Sequence, residues 1–225
     1  MNASSLELAG LRTLVVEPDE PVARTVVILH GHAMLPEDLA PFAHSLGVHA
    51  RFLLPEAPGR AAPAGRAWWP IDDEARARAR EAGPRHLFHE RPPGALAARR
   101  ALLALLGAVR ERWEDHPLAL VGFSQGGMLA CDTVLRDDPR VAGLALLSSS
   151  CITGDEWVSL APRARGLPVL VSHGRSDPDL AFGAGERLRD VLAQGGAHVS
   201  WVPFDGGHEI PLLVWRRLRA FLSGL

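Results

Sequence analysis

Residues 118–127 read Leu118-Ala119-Leu120-Val121-Gly122-Phe123-Ser124-Gln125-Gly126-Gly127, and Met128-Leu129-Ala130-Cys131 follows. An apolar run enters a serine with glycine two positions away on either side, and a helical pattern leaves it. This is a strand, a sharp turn and a helix. Glycines at 122 and 126 remove Cβ atoms that would collide with the neighbouring strand and helix, so Ser124 can stand at the tip of the turn. Its hydroxyl then clears the sheet, and the N–H of Gln125 at the helix start faces whatever the serine attacks. G-x-S-x-G alone is common. Between a buried-strand pattern and a helical pattern it reads as a nucleophile elbow rather than an ordinary glycine-rich turn.

Working outward, other apolar runs read as strands: Leu11 to Val16, Thr25 to Leu29, Arg51 to Pro55, Val141 to Leu147, Pro168 to Ser172 and Val199 to Pro203. Helical patterns alternate with them from residue 25 onward: Pro36 to Leu46, Asp73 to Glu81, Leu96 to Trp113, the elbow helix, Leu180 to Leu192, and a closing helix that carries Ile210, Leu213, Val214, Leu218, Phe221 and Leu222. Crossovers of this length suit parallel pairing. The expectation is a single α/β domain spanning 1–225, with a mostly parallel central sheet of about seven strands and helices on both faces. In such sheets the active site lies at the carboxyl ends of the strands. Three loops fall there, at 30–34, 173–178 and 204–209.

A serine hydroxyl needs a base within reach, and the base needs an acid to hold its tautomer. Ser124, Asp177 and His208 supply the order Ser, Asp, His, each in a loop after a strand. Asp179 and Asp205 lie in the same loops, but Pro178 fixes the turn after Asp177 and favours it. The strand ending at His30-Gly31 should finish near the elbow, which makes the N–H of His32 a second oxyanion donor beside that of Gln125. His30 itself reads as a structural histidine. Ser148 to Ser150 read as a strand terminus.

Length and composition set limits. A chain of 225 residues is 47% hydrophobic and 22% charged, which describes a soluble globular protein. A formal charge of −2 argues against a nucleic-acid partner. Cys131 and Cys151 are too few for a disulfide framework, and no apolar run reaches membrane-spanning length. The first twenty residues lack a basic start followed by an apolar core, so a cytoplasmic protein without integral membrane association is expected. His86 and His89 have no Cys or carboxylate set beside them, so no metal is expected. The arginine-rich segment 76–91 begins with Arg76 and Arg80 on one helix face, and reads as a solvated helix more readily than as a clamp for an anionic substrate.

Four ordered motifs, LHGH at 29–32, GFSQGG at 122–127, SHGRSDP at 172–178 and GGHEI at 206–210, resemble the phospholipase/carboxylesterase family, which includes the acyl-protein thioesterases. Trp68-Trp69-Pro70-Ile71-Asp72 is similar to that family's aromatic segment. The resemblance implies an α/β-hydrolase fold, a triad of Ser124, Asp177 and His208, and the N–H groups of His32 and Gln125 as oxyanion hole. It requires no cofactor, and a monomer or homodimer is expected. The family usually carries Leu or Arg and then glycine after HG, where this chain has His32-Ala33-Met34. Trp68 and Trp69 either line a substrate-binding acyl pocket or fill the core.

The expected activity is that of a serine carboxylesterase acting on small to medium esters through an acyl-enzyme. Lysophospholipase or acyl-protein thioesterase activity, or acyl transfer, would use the same triad. A hydrolase fold retained as a ligand-binding module would not need one. A dienelactone-type hydrolase would carry cysteine where Ser124 stands.

Overall fold

The computed structural model describes residues 2–113 and 116–225. Ten strands and seven α-helices follow in chain order: β1 (Asn2–Leu8), β2 (Leu11–Glu17), β3 (Thr25–Leu29), α1 (Pro36–Ser45), β4 (Arg51–Pro55), β5 (Gly59–Arg60), β6 (Arg66–Ala67), α2 (Asp73–Ala82), α3 (Ala95–Arg112), β7 (Leu118–Phe123), α4 (Gln125–Asp137), β8 (Gly143–Leu147), α5 (Gly154–Leu160), β9 (Pro168–Gly174), α6 (Phe182–Gln194), β10 (His198–Phe204) and α7 (Leu212–Ser223). The main sheet runs β1-β2-β4-β3-β7-β8-β9-β10, and β5 and β6 form a separate two-stranded ribbon. From β4 to β10 all neighbours are parallel, while β2 is antiparallel to both β1 and β4.

The sheet therefore has eight strands where about seven were expected, and the extra one is β1. Its residues are almost all exposed, so apolar alternation does not mark it. It is held instead by a tight hairpin in which Ala9 and Gly10 both take positive φ, the geometry that two-residue hairpins favour. Helix α5 is likewise not among the helices expected from periodicity, because its seven residues are too few to show one.

Alternate strand residues feed two cores. Val26, Phe52, Val121 and Ala145 meet Leu39 of α1, Leu46 just after it, and Val214, Leu218 and Leu222 of α7. Val27, Leu53, Leu120 and Leu146 meet Leu102 and Leu106 of α3, Leu129 of α4 and Leu188 of α6. Each strand residue faces one helix layer or the other, which is why these strands read as continuous apolar runs. In α7 the apolar face is narrower than the sequence pattern predicts, because Leu213 is 47% exposed and Ile210 precedes the helix.

Register aligns the site. Leu29 on β3 pairs with Gly122 on β7, and Gly122 with Leu146 on β8, so the first loop and the elbow emerge side by side. At the other end of the site, Phe204 pairs with Gly174. Beyond that pair the loops stay joined, with Arg175 N–H donating to Phe204 O and Ser176 N–H to Gly206 O.

Candidate active site

Ser124 links β7 to α4 with φ +52° and ψ −117°, a conformation that a non-glycine residue holds only when its surroundings enforce it. The enforcing contacts are backbone ones. A Cβ on Gly122 would lie 2.4 Å from Gly126 O, and a Cβ on Gly126 would lie 2.3 Å from Leu29 O. The turn is thus pressed between its own helix and β3, with no room for a side chain at either position. Gly127 N–H and Met128 N–H donate to Ser124 O, which starts α4, and Ser149 Oγ donates to the same oxygen from the end of β8.

Asp177 is 2% exposed at the end of β9. Its Oδ2 accepts from His208 Nδ1 at 2.7 Å, and its Oδ1 accepts from the N–H groups of Asp179 and Leu180 at 2.8 and 2.9 Å. Burial pushes the Asp177 carboxyl up, and the His208 hydrogen bond, its charge and the two backbone donors together outweigh that and hold it below the usual carboxylate range. The competing carboxylates are used elsewhere. Asp205 is almost fully exposed beside Arg175, and Asp179 accepts from Arg76 and Arg85.

His208 packs its ring 5.0 Å from that of Phe123, the residue before the serine. With Nδ1–H committed to Asp177, its Nε2 is the nitrogen left to take a proton. The Ser124 hydroxyl makes no hydrogen bond to any described residue, and it opens into a cleft of about 590 Å³. Catalytic hydrogen bonds of this kind often tighten only when substrate is bound.

Among the described residues, the N–H groups of His32 and Gln125 have no acceptor. Gln125 occupies the first turn of α4, where N–H groups are free by construction. His32 lies in the loop after β3, which is pinned by Ala33 N–H to Arg66 O and by Arg66 N–H to Met34 O. His30 is structural: its Nδ1–H donates to Gly31 O at 2.7 Å and its Nε2 accepts from Ala57 N–H at 3.1 Å. Burial lowers its pKa and keeps it neutral. The two thiols are also buried, with Cys151 pushed up to about 12 by desolvation, so neither is poised to act as a thiolate.

The tryptophans divide. Trp69 lines the cleft, whereas Trp68 is not among the residues on its wall. Trp68 stacks obliquely on His30 and spends its indole N–H on His30 O at 2.9 Å. The sequence reading missed what holds this segment in place. Gln125 Oε1 accepts from Trp68 N–H and Gln125 Nε2 donates to Trp69 O, both at 2.9 Å, so the residue after Ser124 fixes the cleft wall with its side chain.

Helix α2 is also more than a solvated helix. Its outer residues Glu74 and Arg78 face water, but Arg76 and Arg80 face Asp179, with Arg76 Nη2 2.6 Å from Oδ2. Arg85 Nη2 lies 2.7 Å from Asp179 Oδ1. Desolvation raises the Asp179 carboxyl, and the two arginines more than reverse this, to about 2. The i,i+4 arginine spacing was the available signal, and only the position of its partner was hidden.

The profile of the phospholipase/carboxylesterase family matches residues 105–224, more than half of the chain and the part that carries Ser124, Asp177 and His208. The chain belongs to the phospholipase/carboxylesterase family. Membership places it among the serine hydrolases that act on esters. Acyl-protein thioesterase 1 of Neurospora crassa is 28% identical over 110 residues, a match that spans 47% of this chain and 45% of that one. Acyl-protein thioesterase 1 of Cryptococcus neoformans is 27% identical over 206 residues, spanning 82% and 79%. The crystal structure of esterase PE8 superposes with a TM-score of 0.78 at 25% identity, covering 100% of this chain and 99% of that one. Among the described residues of this family member no helix is long and apolar enough to cross a membrane, and no group of three or more His, Cys, Asp or Glu forms a metal site.

Proposed function

We propose that the chain is a single α/β-hydrolase domain acting in the cytoplasm as a serine carboxylesterase, with Ser124 as nucleophile, His208 as general base and Asp177 as the acid that orients it. The observation that carries this reading is the 2.7 Å Asp177–His208 hydrogen bond beside an elbow serine held at φ +52°. His208 Nε2 takes the Ser124 proton as the hydroxyl attacks the ester carbonyl. The N–H groups of His32 and Gln125 hold the oxyanion. His208 then returns the proton to the leaving alcohol, and a water activated by the same nitrogen cleaves the acyl-enzyme.

The cleft supports a small to medium ester with an apolar acyl part. Trp69, Met128, Ile152 and Leu180 line it, and its volume of about 590 Å³ falls within the range of small-molecule sites. A thioester would meet the same nucleophile and the same two donors, and the names of the Neurospora and Cryptococcus relatives favour testing one.

A fluorophosphonate probe tests the assignment of the nucleophile. One phosphonyl group should attach per chain, at Ser124, and Ser124→Ala should take up none. Labelling elsewhere, or none on folded wild-type protein, contradicts the proposal.

A further inference from the structure

We infer that Asp73 is a positioning residue for the oxyanion hole, acting through the side chain of His32; this rests on the proposed role of the His32 N–H. Three contacts lead to it. His32 Nε2 lies 2.9 Å from Asp73 Oδ1, and the His32 side chain is only 4% exposed while Asp73 is 38% exposed. Asp73 is the first residue of α2, whose preceding residue Asp72 caps it by accepting from Ala75 N–H at 2.8 Å. One turn further on, Arg76 grips Asp179, whose N–H donates to Asp177 Oδ1. A single helix therefore holds the oxyanion loop by its first residue and the acid loop by its next turn.

The chemistry explains why the bond is needed. Among the described residues, backbone-to-backbone hydrogen bonds tie the loop after β3 at Ala33 and Met34, through Arg66. His32 comes before that tie and after Gly31, and its own N–H has no acceptor that would orient it. A donor that must meet a developing oxyanion at hydrogen-bond distance gains its effect from being fixed beforehand. The imidazole supplies the missing constraint, since Nε2–H donates to Asp73 and the ring cannot turn without breaking that part-buried bond. His32 Nδ1 is buried without a partner, so the Asp73 bond is what fixes the ring. An apolar residue at 32 could not be held in this way, and the His32-Ala33-Met34 departure from the family's usual sequence acquires a purpose.

The test is a double-mutant cycle on a p-nitrophenyl ester. Asp73→Ala should lower kcat about tenfold with KM within twofold, because the bond acts on the oxyanion and not on ground-state binding. Asp73→Asn keeps an acceptor oxygen and should recover most of the lost rate. His32→Leu should also lower kcat, and adding Asp73→Ala to it should cost nothing more. A kcat for Asp73→Ala within twofold of wild type, or effects that multiply in the double mutant, would overturn the inference. Fluorophosphonate labelling separates this from the parent proposal. A labelled Ser124 with an unaffected Asp73→Ala rate refutes the positioning role alone, and an unlabelled Ser124 refutes the triad. Because Asp73 is on the surface of α2, its variants should melt within a few degrees of wild type, and a kcat loss that tracks the melting temperature across all four variants counts against positioning.

Discussion

Asp177 Oδ2 accepts a hydrogen bond from His208 Nδ1 at 2.7 Å, and this one contact fixes which imidazole nitrogen is free. Asp177→Asn can turn its amide N–H toward Nδ1 and favour the wrong tautomer. It should lower kcat by about 10⁴ while the protein stays folded. The check is steady-state ester hydrolysis beside a thermal melt. A folded Asp177→Asn protein with more than a tenth of wild-type kcat would remove Asp177 from the mechanism.

Asp179 gives a pH dependence of stability. Its carboxyl is held at about 2 against an ordinary 3.8, so the unfolded chain takes up its proton first as the pH falls. The stabilisation is fully present above about pH 4 and is lost as the pH drops through about 2. The shift corresponds to about 2 kcal/mol. Urea denaturation between pH 2 and 5 should show this loss, and Asp179→Asn should flatten it while lowering stability at pH 7. A variant with the slope of wild type would assign the acid sensitivity elsewhere.

Gly126 cannot carry a side chain. A Cβ there would sit 2.3 Å from the Leu29 carbonyl oxygen and 2.6 Å from that of His30, and backbone atoms of this kind cannot move aside easily. Gly126→Ala should cost about 3 kcal/mol, the upper end for overpacking, and should displace the elbow enough to abolish turnover. Chemical denaturation and ester hydrolysis read the two effects. An active protein of wild-type stability would mean that the elbow is not as tight as described.

Trp68 and Trp69 should respond differently. Trp68→Phe leaves His30 O without its donor and should cost about 1 kcal/mol, with the acyl-chain preference unchanged. Trp69→Leu widens the cleft wall and should move the preference toward longer acyl chains. A series of esters and a melt on each variant decide it, and a shifted preference in Trp68→Phe with none in Trp69→Leu would reverse the assignment.

What was legible in the sequence was whatever depends on short-range pattern. The buried strands announce themselves as apolar runs because both faces are covered. The elbow shows because two glycines and a serine must stand at fixed spacing, and the chain order of Ser124, Asp177 and His208 follows from strand ends. What stayed hidden depends on contacts distant in sequence. Arg76 meets Asp179 across 103 positions, His32 meets Asp73 across 41, and Gln125 holds Trp68 across 57. No local periodicity marks such pairs. Strand β1 was missed for a different reason: it is a polar edge strand whose order comes from its hairpin and not from burial.

The central claim is that Ser124 attacks esters bound in the cleft beside Trp69, and a p-nitrophenyl ester series from acetate to palmitate tests it most directly. Wild type should hydrolyse the short to medium esters best, and Ser124→Ala should lower kcat by about 10⁴ to 10⁶ across the series with the fold intact. Near-normal turnover by folded Ser124→Ala, or no hydrolysis of any ester by folded wild type, would contradict it.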